Sequence, residues 1–596
     1  MRASLGREMP GTPLLFPAPR HVEWGQGSAP AEARIEEAHE ASLPSQGFTL
    51  RCGADTVELR YADAAGHRYA KACLAQLRAE DGSLPAVFVR DAPDFPIRGY
   101  MLDVSRNRVP TRATLTRIVE LLALCRINQL QLYTEHTFAY RAHESVWRDA
   151  SPITPEDVRW LDVLCAEHGV ELVANQNCFG HMAPWLRHEP YRARAECPDG
   201  WDSPLGLRVP PATLAPTPDN ADFALGLLRE LLACFTSRRV NIGCDETFEL
   251  GQGASREAVA RHGRGQVFFE HLQRLLGPLR AEGHEVLFWA DMLRGEPELL
   301  GSLPEDGLGA LVWHYEAPLE TEQLPESVRG LLAGFGMGEQ VLRGFAGQLG
   351  CFADSGVPFW VCPGTSSWNS LLGRWQNART NLLDAAETGL ERGAQGFLIA
   401  DWGDNGHLQP PSVSFPALVY GAGLAWSAQG NRSLPVAEVL DRFVFRDTAG
   451  ILGDSLLDLG DLYAGTGRAG FNGSPLFGAL LGRGVAGSWG SVDAGATQAV
   501  VDRLEAVLSA LPAARPGCED GGQVCDELAT AIRLARQGAW RLLAEVGAPA
   551  PGDAEMSRDL QEAIAAQRHC WLARARPGGL EASLEPLRRV AESASR

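Results

Sequence analysis

Lysine is almost missing from this chain: Lys71 stands alone among 54 basic residues, so arginine carries nearly all the positive charge. Basic charge as a whole is short, with 74 acidic residues against 54 and a net charge of −20. That balance argues against nucleic acid and anionic membrane surfaces as partners. No uninterrupted apolar run is long enough to span a bilayer. The start, from Met1 through Pro10 to Arg20, lacks the basic stretch and apolar run of a signal peptide, so the expectation is a cytoplasmic protein. No Cys-x-x-Cys occurs among the 13 cysteines, and Cys518 and Cys525 match no common zinc spacing. The set reads as small buried hydrophobes in a reducing compartment, with no metal and no cofactor expected. No Gly-x-Gly-x-x-Gly follows a first strand, which disfavours an open dinucleotide-binding sheet. No internal repeat is evident.

What is present is room and pattern. The 596 residues, 45% of them hydrophobic, suffice for two to four domains. Residues 1–96 read as a small mixed α/β unit, with strands at 56–61 and 86–89, a helix at 67–78, and a proline-bearing boundary from Asp91 to Pro96. Residues 97–432 alternate short apolar runs with helical periods. Strands are expected at 100–104, 129–133, 171–174, 240–242, 286–289, 310–313, 359–361 and 397–400. Helices are expected at 111–124, 155–168, 221–235, 267–281 and 377–392. Eight such strands predict a (β/α)₈ TIM barrel. From 433 to 596 the pattern predicts helices at 436–445, 453–463, 496–511, 524–545 and 556–573. That all-α C-terminal region would pack on the barrel or on a second subunit, which is the route to a homo-oligomer.

The stretch around which the barrel is organised is Arg239-Val240-Asn241-Ile242-Gly243-Cys244-Asp245-Glu246-Thr247. Val240 and Ile242 suit a short buried strand, Gly243 and Cys244 allow close approach, and two carboxylates follow side by side. Neighbours in a strand face opposite ways, so Asp245 and Glu246 share a site only where the strand ends, on the rim that carries a barrel's catalytic groups. The competing reading is a solvated acidic turn or a helix cap. The other strand ends supply Asp103, Ser105 and Arg106; Glu135 and His136; Asn175, Asn177 and His181; Trp289 and Asp291; Trp313, His314 and Tyr315; Trp368 and Asn369; and Asp401, Trp402, Asp404 and His407. Any one of the tryptophans reads as core. Four of them just past strand ends, beside carboxylates, suit a sugar, whose C–H faces stack on indoles while its hydroxyls need polar partners.

These residues also carry a family likeness. Ile97-Arg98-Gly99-Tyr100-Met101-Leu102-Asp103-Val104-Ser105-Arg106 resembles the opening barrel strand of family 20 β-N-acetylhexosaminidases, and Asn241-Ile242-Gly243-Cys244-Asp245-Glu246 resembles their catalytic strand. Phe179-Gly180-His181, Phe288-Trp289-Ala290-Asp291 and Trp402-Gly403-Asp404 resemble weaker family signatures, and the likeness runs over roughly residues 60–430. It implies a TIM barrel after a small N-terminal α/β domain, and removal of terminal non-reducing GlcNAc or GalNAc from a small amino-sugar glycoside. It further implies a retaining mechanism through an oxazoline made by the substrate's own 2-acetamido group. Glu246 would be the general acid/base and Asp245 the residue that orients the acetamido group. Arg98 would hold ring hydroxyls, Trp289, Trp313 and Trp402 would wall the acetamido pocket, and Asp404 would receive an outer hydroxyl. Glu135 with His181 would stand in for the family's Asp–His pair behind the acid. The family's strand-seven tyrosine has no clean counterpart, and its role stays open between Tyr315 and the Trp368 region. Cys244 replaces a glycine, Asn241 a histidine, and Asn175 and Asn177 two acids.

The chemistry is coherent apart from the likeness. Two carboxylates from one strand end approach a sugar from one side, where an opposed protein nucleophile is awkward, and a substrate-borne acetamido oxygen removes the need for one. Two other classes compete. A non-catalytic carbohydrate-binding barrel would keep the tryptophans and lose the acid, and a metal-dependent barrel hydrolase would need clustered histidines, which are dispersed here.

Overall fold

The computed structural model describes residues 13–203, 208–319, 324–334, 338–482 and 488–593. The leader reading from Met1 to Arg20 falls partly on residues 1–12, outside the described ones. The first layer is a five-stranded sheet built from β1 (His21–Ala29), β2 (Arg34–His39), β3 (Phe48–Cys52), β4 (Thr56–Tyr61) and β5 (Leu84–Asp91), in the order β1-β5-β3-β4-β2. One helix, Ala64–Leu77, covers a face; Asp63 caps it by accepting from Gly66 N. Leu50, Val57, Leu59, Leu74 and Val89 form a core of their own there. Two of these strands follow from alternation in the sequence. β1 and β2 do not, because both are largely exposed and carry no apolar face to alternate.

The second layer is a closed barrel. Its strands are β6 (Ile97–Asp103), β7 (Gln129–Thr134), β8 (Glu171–Gln176) and, after a two-residue pairing of β9 (Trp201–Asp202) with β10 (Arg208–Val209), β11 (Arg239–Asn241), β12 (Glu285–Trp289), β13 (Leu308–Trp313), β14 (Phe359–Cys362) and β15 (Gly396–Asp401). All neighbouring pairs run parallel, β15 closing on β6 and β8 on β11. This is the (β/α)₈ barrel that the eight apolar runs predict. Such strands are buried on both faces, which is why they read as near-continuous apolar runs. The interior is filled by Met101, Tyr133, Leu287, Leu311, Trp360 and Leu398. A polar plug sits among them: Gln131 Oε1 accepts from Asn175 Nδ2 at 3.0 Å and from Asn241 Nδ2 at 3.1 Å. The departures at 175 and 241 thus form a neutral amide network inside the barrel.

Beyond the helix Phe415–Trp426, the described residues are mainly helical, with Ala494–Ala510, Gly521–Glu545, Asp553–Arg574 and Leu580–Ser593 the longest helices. Two short strands interrupt them, β16 (Arg468–Ala469) pairing antiparallel with β17 (Trp489–Gly490). Leu528, Leu534, Leu560 and Leu584 belong to the same continuous core as the barrel helices. Polar ties reinforce that packing: Arg576 binds Asp157 at 2.7 Å, and Gln567 donates to Leu408 O at 2.9 Å. The C-terminal region therefore lies on the barrel of its own chain. No helix among the described residues is long and apolar enough to cross a membrane.

Candidate active site

The shortest barrel strand sets the site. β11 leaves the ladder after Asn241, and the chain then turns through positive φ at Gly243 (69°), Cys244 (74°) and Glu246 (50°). Two of these are not glycine, a strain that recurs at functional sites. Hydrogen bonds hold the turn: Cys244 N donates to Asn177 Oδ1 at 3.1 Å, and Glu246 N to Asp291 Oδ2 at 3.1 Å. A Cβ on Gly243 would lie 2.5 Å from the Asn177 side chain, so the close approach demands glycine. The turn breaks the alternation of a strand and brings both carboxylates to one imidazole. His181 Nε2 lies 3.3 Å from Asp245 Oδ2 and 3.4 Å from Glu246 Oε2.

Asp245 is buried, and its other oxygen accepts from Asn177 Nδ2 at 2.7 Å. Glu246 is more open, with 36% of its side chain exposed. Burial alone would raise the Asp245 pKa, but His181 and Asn177 hold it below the usual carboxylate value. Burial likewise disfavours the imidazolium, yet Asp245 and Glu246 hold the His181 pKa well above its ordinary value. Both shifts favour the ionic form of the pair, a carboxylate beside an imidazolium.

Asp245 and Glu246 line a cavity of about 240 Å³ with His181, Trp313, Tyr315, Trp368, Trp402 and Asp404. Trp313 and Tyr315 stack at 5.2 Å, Trp368 meets Tyr315 edge-on at 5.1 Å, and Trp402 Nε1 donates to Tyr315 Oη at 2.9 Å. With its oxygen accepting from the indole, the Tyr315 hydroxyl keeps its own proton free to donate. Asp404 accepts from Asn369 Nδ2 at 3.2 Å, and burial, opposed by Arg106, raises its pKa to about 6. Asp291, beneath Glu246, is raised to about 7 by burial and the nearby Asp245 charge. Among the described residues no cluster of three or more His, Cys, Asp or Glu is arranged to hold a metal.

Three expected residues lie elsewhere. Arg98 is fully buried near the start of β6, about 17 Å of strand from Asp103 at five residues' rise. It donates to Phe95 O at 2.7 Å, to Arg126 O at 2.9 Å, and to Gln46 Oε1 and Tyr69 Oη at 2.9 Å each. Arg98 ties the first layer to the foot of the barrel and cannot reach a sugar at the rim. Arg106, the last residue of the same motif, lines the cavity instead. It is held by Glu135 at 3.1 Å and lies over the rings of Tyr133 and Trp402 at 4.8 and 5.0 Å. Glu135 does not line the cavity; Arg106 bridges it to His181, with Nη2 3.4 Å from His181 Nδ1, and the His181 charge also acts on it. Trp289 is also set back, wholly buried and 6.2 Å from Trp402 between ring centres.

Arg106 and Asn177 stand among the strand-end residues of the sequence, though without an assigned role, whereas the C-terminal turn at Phe471 and Asn472 carries no motif. Both turn residues line the cavity.

Comparison with known proteins bears on this geometry. Residues 95–327 match the model described as glycosyl hydrolase family 20, catalytic domain. Hexosaminidase D of Homo sapiens is 26% identical over 237 residues, which is 38% of this chain and 46% of that protein. Hexosaminidase D of Bos taurus is 23% identical over 219 residues, covering 35% of this chain and 61% of that protein. The chain thus spans less than two thirds of either relative. Among solved structures, a GH20 exo-β-N-acetylglucosaminidase from Vibrio harveyi superposes with a TM-score of 0.55 at 16% identity, over 77% of this chain and 80% of that one. That likeness is one of fold.

Proposed function

We infer, for a chain whose residues 95–327 belong to glycosyl hydrolase family 20, that it is a glycoside hydrolase that removes terminal N-acetylhexosamine from the non-reducing end of glycosides. The observation that carries the reading is the contact of one imidazole nitrogen with both carboxylates. A buried carboxylate held ionised by a cation is suited to a persistent charge role, and a more open neighbour to moving a proton.

The steps follow from these environments. Glu246 protonates the glycosidic oxygen as its bond to the anomeric carbon breaks. The substrate's acetamido oxygen attacks that carbon from the other face and closes an oxazoline. Asp245 accepts the acetamido N–H and stabilises the positive charge that develops, while the free Tyr315 proton donates to the acetamido oxygen. Water, deprotonated by Glu246, then opens the ring at the same carbon, so configuration is retained and Glu246 is reprotonated. Arg106 and Asp404 take ring hydroxyls, and Trp402 underlies the sugar. The test is turnover by the full chain and by Glu246→Gln of a natural disaccharide, whose poor leaving group needs the acid, beside nitrophenol release from an aryl β-N-acetylglucosaminide, which needs it less. Loss of a positioned acid costs about 10²–10⁴ in rate, and near-normal turnover of a natural disaccharide by the variant would remove Glu246 from the mechanism.

A further inference from the structure

One turn of the C-terminal region bonds to two barrel loops directly and meets a third through Asn369. Asn472 N donates to Glu316 Oε1 at 2.8 Å, beyond β13. Its side-chain Oδ1 accepts from Trp368 Nε1 at 2.6 Å, and its carbonyl accepts from Asn369 Nδ2 at 3.1 Å, both beyond β14. Ser474 N adds a bond to Asn369 O at 2.9 Å. The same Asn369 amide donates to Asp404, beyond β15.

The turn is itself anchored from both sides. Phe471 lies 5.1 Å from Trp489 of β17 and packs with Leu319, Leu324 and Leu342 in a small separate core. Glu316 is gripped by both terminal nitrogens of the buried Arg374, at 2.8 and 3.0 Å. Asn472 holds φ at 53°, a conformation that asparagine tolerates better than most residues. The side chain it fixes, Trp368, packs edge-on against Tyr315. Two lining residues of the cavity, Tyr315 through Trp368 and Asp404 through Asn369, therefore share Asn472 as one support.

We propose that the turn 471–474 completes the sugar site, with Asn472 as a positioning residue that sets the Trp368 indole and the Asn369–Asp404 pair and so governs which amino sugar is accepted. The proposal rests on the amino-sugar reading above. The side chains that meet the acetamido group and the outer hydroxyl are only as well placed as the loops that bear them, and Asn472 joins those loops.

The experiment compares wild type, Asn472→Gly and Asn472→Asp in the full chain. Glycine suits the positive φ while removing the acceptor, and aspartate restores an acceptor for the indole N–H. The expected result is a KM about tenfold higher for Asn472→Gly on aryl β-N-acetylglucosaminide, the scale of one lost hydrogen bond. Its kcat should stay within about threefold, its GlcNAc/GalNAc preference should shift, and Asn472→Asp should return KM towards wild type. Calorimetric affinity for N-acetylglucosamine, measured on the same three proteins, should follow the same order and does not depend on turnover. An inactive wild type with that order of affinities would sink the hydrolase reading and leave the turn's role standing. Unchanged KM, preference and affinity in Asn472→Gly would overturn the proposal, as would equal losses in kcat and melting temperature that Asn472→Asp fails to restore.

Discussion

His181 reaches from the loop after β8 to set its Nε2 3.3 Å from Oδ2 of Asp245, whose neighbouring backbone is bent through positive φ on either side. The contact makes a pH-dependent contribution to stability with a definite window. The raised His181 pKa adds stability that is full below about pH 6.5 and lost as pH rises through its elevated value. The lowered Asp245 pKa adds stability that is full above about pH 3.9 and lost as pH falls through its depressed value. The melting-temperature gap between wild type and His181→Gln should therefore be widest between about pH 4 and 6.5 and narrow on both sides. Thermal melts from pH 3 to 9 check this, and a gap constant across that range would count against the ion pair.

The two arginines of the first barrel strand should separate cleanly. Arg98→Met should lower stability by roughly 1–3 kcal/mol, the scale for leaving buried neutral acceptors unsatisfied, while leaving KM near wild type. Arg106→Ala should cost about 2–5 kcal/mol in transition-state binding, as for loss of one partner of a buried charged pair. Denaturant melts beside steady-state kinetics distinguish them. A large KM effect from Arg98→Met would mean that the foot of the barrel communicates with the rim.

That contrast marks how far the sequence could be read. The barrel strands were legible because burial on both faces leaves apolar runs, and Asp245-Glu246 because the pair closes a strand of that barrel and carries the family likeness. Arg98 and Arg106 bracket one motif, and the rule that the catalytic rim lies at the strands' C-terminal ends already sets Arg106 there; the family likeness alone gives the hydroxyl role to Arg98. The relation of Glu135 to His181, bridged by Arg106, is not legible from its place after β7 alone. Phe471 and Asn472 were invisible for another reason. They come to the site from more than 60 residues beyond the last barrel strand, and nothing local in a turn records a partner so distant in the chain.

Asp404 gives a second pH test. Its carboxyl is raised to about 6, so the stronger acceptor, the anion, prevails only above that pH. Affinity for N-acetylglucosamine should improve as pH rises through about 6, and Asp404→Asn should flatten the profile. Calorimetry at pH 5 and pH 7 suffices; equal wild-type affinities would place Asp404 outside the hydroxyl subsite.

Gly243 should tolerate no side chain. Gly243→Ala forces a Cβ towards Asn177, which positions Asp245, at a backbone φ of 69°. A loss of about 1–3 kcal/mol in stability is expected from the strained conformation, with activity falling further than stability alone explains. Wild-type kcat in a folded Gly243→Ala protein would show that the Asn177–Asp245 bond is dispensable.

Whether the substrate supplies its own nucleophile, as proposed above, is read from one ratio. The quantity is kcat/KM for an aryl β-N-acetylglucosaminide over that for the matching aryl β-glucoside, which lacks only the acetamido group. If Asp245 serves that group, the glucoside loses both the nucleophile and the partner of a preorganised charge, and the ratio should exceed about 10³. A ratio near one would contradict the account and point to a nucleophile belonging to the protein.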